Sequence, residues 1–338
     1  MSNQHVKYLL VGGGLASSAA AQAIRQRDPD GSVMLTLPSA EEETREDGTV
    51  ERPIALRGER ASLAVAQFME GAADLVTGGT AGDLPIARAA DPPGASLRFD
   101  PVAGLFGLVV QRNAGPLADR SVRRALAMAI DRDSIVAALA VPTMAQRGTL
   151  LPPGLEEVPQ PAPVDWMALP LPERRLRAAV VLRDARAGEA AAPGPLRIRV
   201  AMPEGLGYRL IFAFLRRDWR AIGVEAERVA PDSDADLRFV DAVAPATMAA
   251  WYLRQFTCDR SAVCDPAADE ALAAARQATT VSDRRNLLTK ADLLLTDLAV
   301  FVPIASPVRW SLVSPRLTGF QPNFLARHPP GELIANIR

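Results

Sequence analysis

Cysteine, histidine, lysine and aromatic residues are all scarce in this chain of 338 residues. Two cysteines, Cys258 and Cys264, and two histidines, His5 and His328, are too few for a zinc site built on Cys and His ligands. Two readings of the cysteines stay open, one short disulfide loop or two unrelated thiols. No G-x-S-x-G segment occurs, and neither histidine has a plausible Ser or Cys partner, so nucleophilic hydrolysis has no support. His328 reads as a surface or hydrogen-bonded residue. Lys7 and Lys290 are the only lysines; every other basic residue is Arg. In an Ala- and Pro-rich chain of net charge −1 that bias is compositional, and no footprint for nucleic acid stands out. No apolar run approaches about 20 residues, the length that a membrane-spanning helix requires.

What is present suits a globular protein. Apolar residues make up 49% and charged residues 23% of the chain, and its length allows two domains with cores of their own. Residues 1–23 have the outline of a poor signal peptide, with His5 and Lys7, an apolar stretch and small residues around Ala19–Ala23. Three glycines in the middle and the continuation into IRQRDPDGSV weaken that reading.

Residues Val6–Leu37 form a recognisable unit. KYLLV suits a buried strand, Gly12, Gly13 and Gly14 a tight turn, the Ala-rich run to Arg27 a helix, and SVMLTL a second strand. Gly12-Gly13-Gly14-Leu15-Ala16-Ser17 matches G-x-G-x-x-G at two of its three glycines, with Ser17 in the third place. In this motif Gly12 allows the turn, and Gly14 lets a pyrophosphate approach the helix N-terminus. The wording resembles FAD-dependent pyridine-nucleotide oxidoreductases of the apoptosis-inducing-factor and ferredoxin-reductase type. The acid expected after the second strand is missing: Pro38 follows Leu37, and Glu41 comes too late. No further glycine motif and no redox Cys pair follow. The expectation is a Rossmann-like βαβ unit over residues 1–37 with vestigial Gly12 and Gly14, no bound cofactor, and a polar linker over 38–51.

The most telling stretch is Asp119–Val136, DRSVRRALAMAIDRDSIV. Val122, Ala125, Leu126, Ala129 and Ile130 fall at i, i+3, i+4, i+7 and i+8, one face of a helix. Asp119 can cap that helix, and Asp131 can cap a second one. The steps Arg123-Arg124-Ala125-Leu126 and Ala129-Ile130-Asp131-Arg132 resemble the central signature of family 5 extracellular solute-binding proteins. These are receptors of dipeptide, oligopeptide and nickel ABC importers. The resemblance extends over about residues 52–338, including the Leu151–Gly154 turn and the helix pair around CDPAADEALAAARQATTVSDRRNLLTKADLLL.

Between these landmarks the periodicities are plain. Strand, helix and strand are predicted at Pro53–Arg57, Ala61–Glu70 and Asp74–Thr77, and the resemblance implies crossover strands within Ser96–Asn113. A helix starts at Pro172. Leu196, Ile198, Val200 and Met202 alternate with polar neighbours as a half-buried strand, and a helix over Ile211–Ile222 leads into strand VEAERV. Asp265-Pro266 opens one late helix and Ser282 caps the next. The resemblance implies that VRWSLV and LTGFQPNF form the return to the first lobe.

The resemblance implies an α/β, two-lobed fold of the periplasmic-binding-protein type. Residues 52–95 and 302–338 would form a partial, truncated first lobe, and residues 96–301 the second lobe. It implies capture of a peptide or other small polar solute for an ABC transporter permease, no enzymatic step, a monomer, and a periplasmic location. The unclear export signal leaves a cytoplasmic one open. In an exported protein the disulfide reading of Cys258 and Cys264 is favoured. Asp241 and Trp251 are the ligand candidates, flanking VDAVAPATMAAW after a strand that ends at Val240; Phe106 on a crossover strand joins them. The carboxylate would pair with an amino group and the ring would cover a side chain or cation. The competing readings are an FAD- or NAD-dependent oxidoreductase fragment and a non-functional fusion of two gene fragments.

Overall fold

The computed structural model describes residues 31–36, 43–44, 50–51, 55–142, 144–187, 194–329 and 333. Gly12, Gly14 and His5 lie outside them. In chain order the elements are β1 (Gly31–Thr36), β2 (Glu43–Thr44), β3 (Val50–Glu51), β4 (Ala55–Arg60), α1 (Ala61–Met69), β5 (Leu75–Gly79), α2 (Leu84–Ala89), β6 (Leu97–Asp100) and β7 (Gly104–Val110). They continue with α3 (Arg120–Ala129), α4 (Arg132–Leu139), α5 (Leu171–Ala187), β8 (Leu196–Ala201), α6 (Leu206–Arg220), β9 (Val224–Val229) and β10 (Leu237–Val243). Last come α7 (Ala249–Leu253), α8 (Pro266–Gln277), α9 (Val281–Asp297), β11 (Phe301–Pro303) and β12 (Arg309–Val313).

The described residues divide into two compact units. The first holds the segments up to Pro101 and from Val308 onward, with Gly205–Gly207; the second holds Val102–Glu204 and Tyr208–Pro307. The chain therefore passes between units after Pro101 and after Pro307, with a short crossing at Gly205–Gly207.

The first unit is built on a sheet of order β4-β1-β5-β12-β6. β1 runs antiparallel to both β4 and β5. Both edges of this strand are thus taken by antiparallel neighbours. That leaves no edge for the parallel partner a Rossmann-like unit would set beside SVMLTL; the KYLLV strand itself lies outside the described residues. α1 buries Ala61, Ala64, Val65 and Phe68, one face at i, i+3, i+4 and i+7. It stops where Gly71 takes φ +74°, closing the end with bonds from Gly71 N to Phe68 O and from Ala72 N to Gln67 O. Trp310 of β12 sits directly across from Gly79, and a Cβ on Gly79 would lie 1.9 Å from the indole. Glycine is thus required there by close approach. The Trp310 Nε1 donates to Thr80 O at 2.9 Å.

The tail of the first unit is fastened by polar bonds. No strand forms over Leu317–Phe324. Instead, completely buried Asp100 accepts Asn323 N at 2.9 Å and meets His328 Nε2 at 2.9 Å, while Phe320 stacks on the His328 ring at 4.1 Å. The family resemblance implies a returning strand at LTGFQPNF, but side-chain bonds to Asp100 hold this segment rather than a ladder.

The second unit has a sheet of order β11-β7-β10-β8-β9, with β8 parallel to β9 and β10, and β7 antiparallel to β10 and β11. The parallel β8–β9 pair is joined through α6, a βαβ crossover. Leu126 and Ile130 are both completely buried, as the face of the signature helix predicts. Asp119 caps α3 through Ser121 N and Asp131 caps α4 through Ser134 N. α9 is capped by Thr280, which accepts Asp283 N at 3.0 Å, rather than by Ser282. Asp292 of α9 is completely buried and accepts Ala162 N at 2.6 Å, fastening the proline-rich segment. Cys258 and Cys264 form a disulfide that closes the loop before α8.

Candidate functional site

Two of the candidate residues, Asp241 and Phe106, share one face of the second unit's sheet. Asp241 stands inside β10, one residue beyond the end expected for that strand, directly opposite Phe106 of β7. Residues two apart on a strand share a face, as do direct cross-strand partners, so Phe239, Asp241 and Phe106 point the same way. Phe106 meets Phe239 edge to face at 5.0 Å, and Tyr208, in the first turn of α6, lies tilted on Phe239 at 5.6 Å. The Tyr208 hydroxyl donates to Asp241 Oδ2 at 2.7 Å. Asp241 is half-buried. Phe106 is completely buried, its ring packed against Phe239.

Trp251 lies on α7, half-buried, and meets Tyr252 edge to face at 5.0 Å. Tyr252 packs under the Arg147 guanidinium, 5.9 Å from the ring centre. Arg147 donates to Gly104 O at 2.9 Å. Gly104 pairs with Val243, two positions beyond Asp241, so this chain of contacts leads from Trp251 to the end of β10. Burial pulls the Arg147 guanidinium down to about 10, against an opposing pull from Tyr252, and it stays charged at neutral pH. Burial likewise pushes the Tyr252 hydroxyl up, against the nearby Arg147 charge.

Tyr208, Arg147 and Tyr252 have no sequence signal of their own. Each gains its neighbours only when α6, the proline-rich segment and α7 come against β7 and β10. The assembled groups are a carboxylate held by a phenol, an aromatic surface and a buried cation. They can recognise donors, rings and charge; no nucleophile–base couple stands among them. Among the described residues no three His, Cys, Asp or Glu side chains are placed to hold a metal ion.

Residues 58–257 match the family described as bacterial extracellular solute-binding proteins, family 5 Middle. No curated protein matches the sequence. Among solved structures, OppA of Haemophilus influenzae in complex with RPPGFSPFR superposes with a TM-score of 0.70 at 18% identity, covering 82% of this chain and 57% of that one. The murein tripeptide binding protein MppA of Escherichia coli gives a TM-score of 0.67 at 18% identity, covering 83% and 56%. NikZ of Campylobacter jejuni in complex with Ni(L-His) gives 0.65 at 19% identity, covering 83% and 60%. The chain thus spans under two thirds of the length of these structures. The resemblance of Val6–Leu37 to FAD-dependent oxidoreductases finds no support in the comparisons. The family match covers more than half of the sequence, and the chain belongs to the bacterial extracellular solute-binding proteins of family 5.

Proposed function

We propose that this protein is the solute receptor of an ABC importer, capturing a peptide or another small polar solute and passing it to the permease. Family membership is the observation that carries the reading. The similar OppA and NikZ structures hold a peptide and a nickel–histidine complex. In this reading the half-buried Asp241 carboxylate pairs with a cationic or free-amino group of the solute, and the Trp251 ring covers a side chain. The Tyr208 hydroxyl presets the carboxylate, so that less ordering is needed on binding. No catalytic step is assigned. The protein works as a monomer in the periplasm, a compartment in which the Cys258–Cys264 disulfide persists.

Calorimetry with a peptide library tests the reading. A saturable heat that weakens for a cationic or free-amino ligand in Asp241→Ala, with an unchanged fold, is the expected result. Absence of binding to the unaltered chain overturns the receptor function. Binding indifferent to both Asp241→Ala and Trp251→Ala overturns the residue assignment while the class stands.

A further inference from the structure

Away from Asp241, the second unit contains a cleft of about 200 Å³ between α3, the 3-10 turn Asp165–Ala168, the end of α9 and β11. Its walls are mainly apolar, with the buried side chains Leu150, Trp166, Leu295 and Phe301 among them. Leu293 also lines it and is 48% exposed, which marks where the cleft meets solvent. Three charged side chains belong to the lining: Arg124, Asp165 and Asp297. Arg124, on α3, bonds Asp165 of the turn at 2.9 Å and lies 3.8 Å from Asp297 at the end of α9. One guanidinium thus links two of the elements that form the cleft.

Each charge on that lining is already matched. Arg124 answers Asp165, and Arg120 pairs with Asp297. These side chains are all at least 36% exposed, and ion pairs so open to water hold weakly. The linkage therefore yields easily to an entering molecule. The walls are fastened more firmly. Asp292, completely buried, accepts Ala162 N at 2.6 Å, and buried Arg132 donates to the carbonyls of Ala127 and Pro303 at 2.9 Å. Ala127, Ala162 and Pro303 all line the cleft. Its shape is thus set before a ligand arrives, which lowers the ordering cost of binding.

We propose that this cleft binds a small uncharged aromatic molecule, one six-membered ring with a short substituent. The size is adequate, since an apolar cavity of about 150 Å³ admits benzene. The Trp166 and Phe301 rings and the aliphatic walls suit a flat apolar body. Charge decides between neutral and ionic ligands. An ammonium or a carboxylate entering here gives up its water and meets no unmatched partner on the lining, whereas a neutral ring carries no such cost. Neither Asp241 nor Trp251 lines this cleft, so the site does not depend on the solute reading.

Benzyl alcohol and its charged analogues benzylamine and benzoate are the probes, titrated into the full chain by calorimetry and tryptophan fluorescence. Saturable benzyl alcohol binding at millimolar concentration is expected, at least about tenfold tighter than either ion. Val164, half-buried on the lining, is the position for a blocking variant: Val164→Phe should fill the cleft and abolish binding with an undiminished melting midpoint. Leu293→Trp, at the exposed edge, is a second blocking variant that leaves the buried walls untouched. Trp166→Phe should remove the fluorescence change. Asp241→Ala should leave benzyl alcohol binding intact, which separates this site from the solute site. No saturable binding, equal binding of benzylamine or benzoate, binding unaltered in both blocking variants, or binding lost in Asp241→Ala overturns the proposal.

Discussion

Leu126 shows how much one side chain can carry. Its side chain is completely buried on the signature helix and its carbonyl accepts Trp219 Nε1 at 3.0 Å. Leu126→Ala should cost roughly 2–5 kcal/mol, read as a lowered midpoint in urea melts with an unchanged slope. Position alone made Leu126 legible, because a helical period names its buried face. The binding residues were legible only in part. Asp241 and Trp251 came from the wording of a family, whereas Tyr208 is separated from Asp241 by 33 residues and pairs with it only through the packing of α6 on β10. Tyr208→Phe tests the Tyr208–Asp241 bond. It should leave melting nearly unchanged and weaken capture of an amino-bearing solute several-fold by calorimetry, as expected from loss of a hydrogen bond to a charged group, about 1.5–3 kcal/mol at most.

Helix α9 shows how one buried group makes a whole element sensitive to pH. Burial pushes the Asp292 carboxyl up to about 6, against the opposing bonds from Ala162 N and Thr296. The folded protein therefore holds this proton more tightly than the unfolded chain, whose carboxyl titrates near about 4. The resulting stability is fully present below about 4 and is lost as pH rises through about 6. Asp292→Asn should thus raise the melting temperature at pH 8 and hardly change it at pH 4; an equal shift at both would remove Asp292 as the cause. The Cys258–Cys264 loop is another local device. Replacing both cysteines by Ala should cost no more than roughly 2–2.5 kcal/mol on the chain-entropy model, because the loop is short, and the protein should still fold. Circular dichroism melts check this. Long periodic elements such as α3, α6 and β8 were legible because burial sets their pattern. Thr280 was not preferred to Ser282 as a cap because both are hydroxyl residues at the same boundary. The tail after β12 was misread because Asp100, more than 200 residues away, decides its conformation.

At the scale of the whole molecule, neither unit is a continuous piece of chain. The first unit's sheet places β12 between β5 and β6, so its interior depends on residues near the other end of the sequence. Deleting residues 308–338 should expose residues 55–101 to proteases while the Cys258–Cys264 loop stays intact; mass spectrometry of the fragments reads the difference. Sequence patterns located β5, β6 and β12 but not their order, since strands this far apart carry no local cue to pairing. The position of β12 also sets an order of events during synthesis. The ribosome delivers β5 and β6 early, yet the strand that must lie between them emerges more than 200 residues later. Until then two half-edges wait with open backbone groups, the kind of surface that invites wrong pairing. The first unit begun is the last that can be finished, and its nascent form is the one that most needs a chaperone's cover.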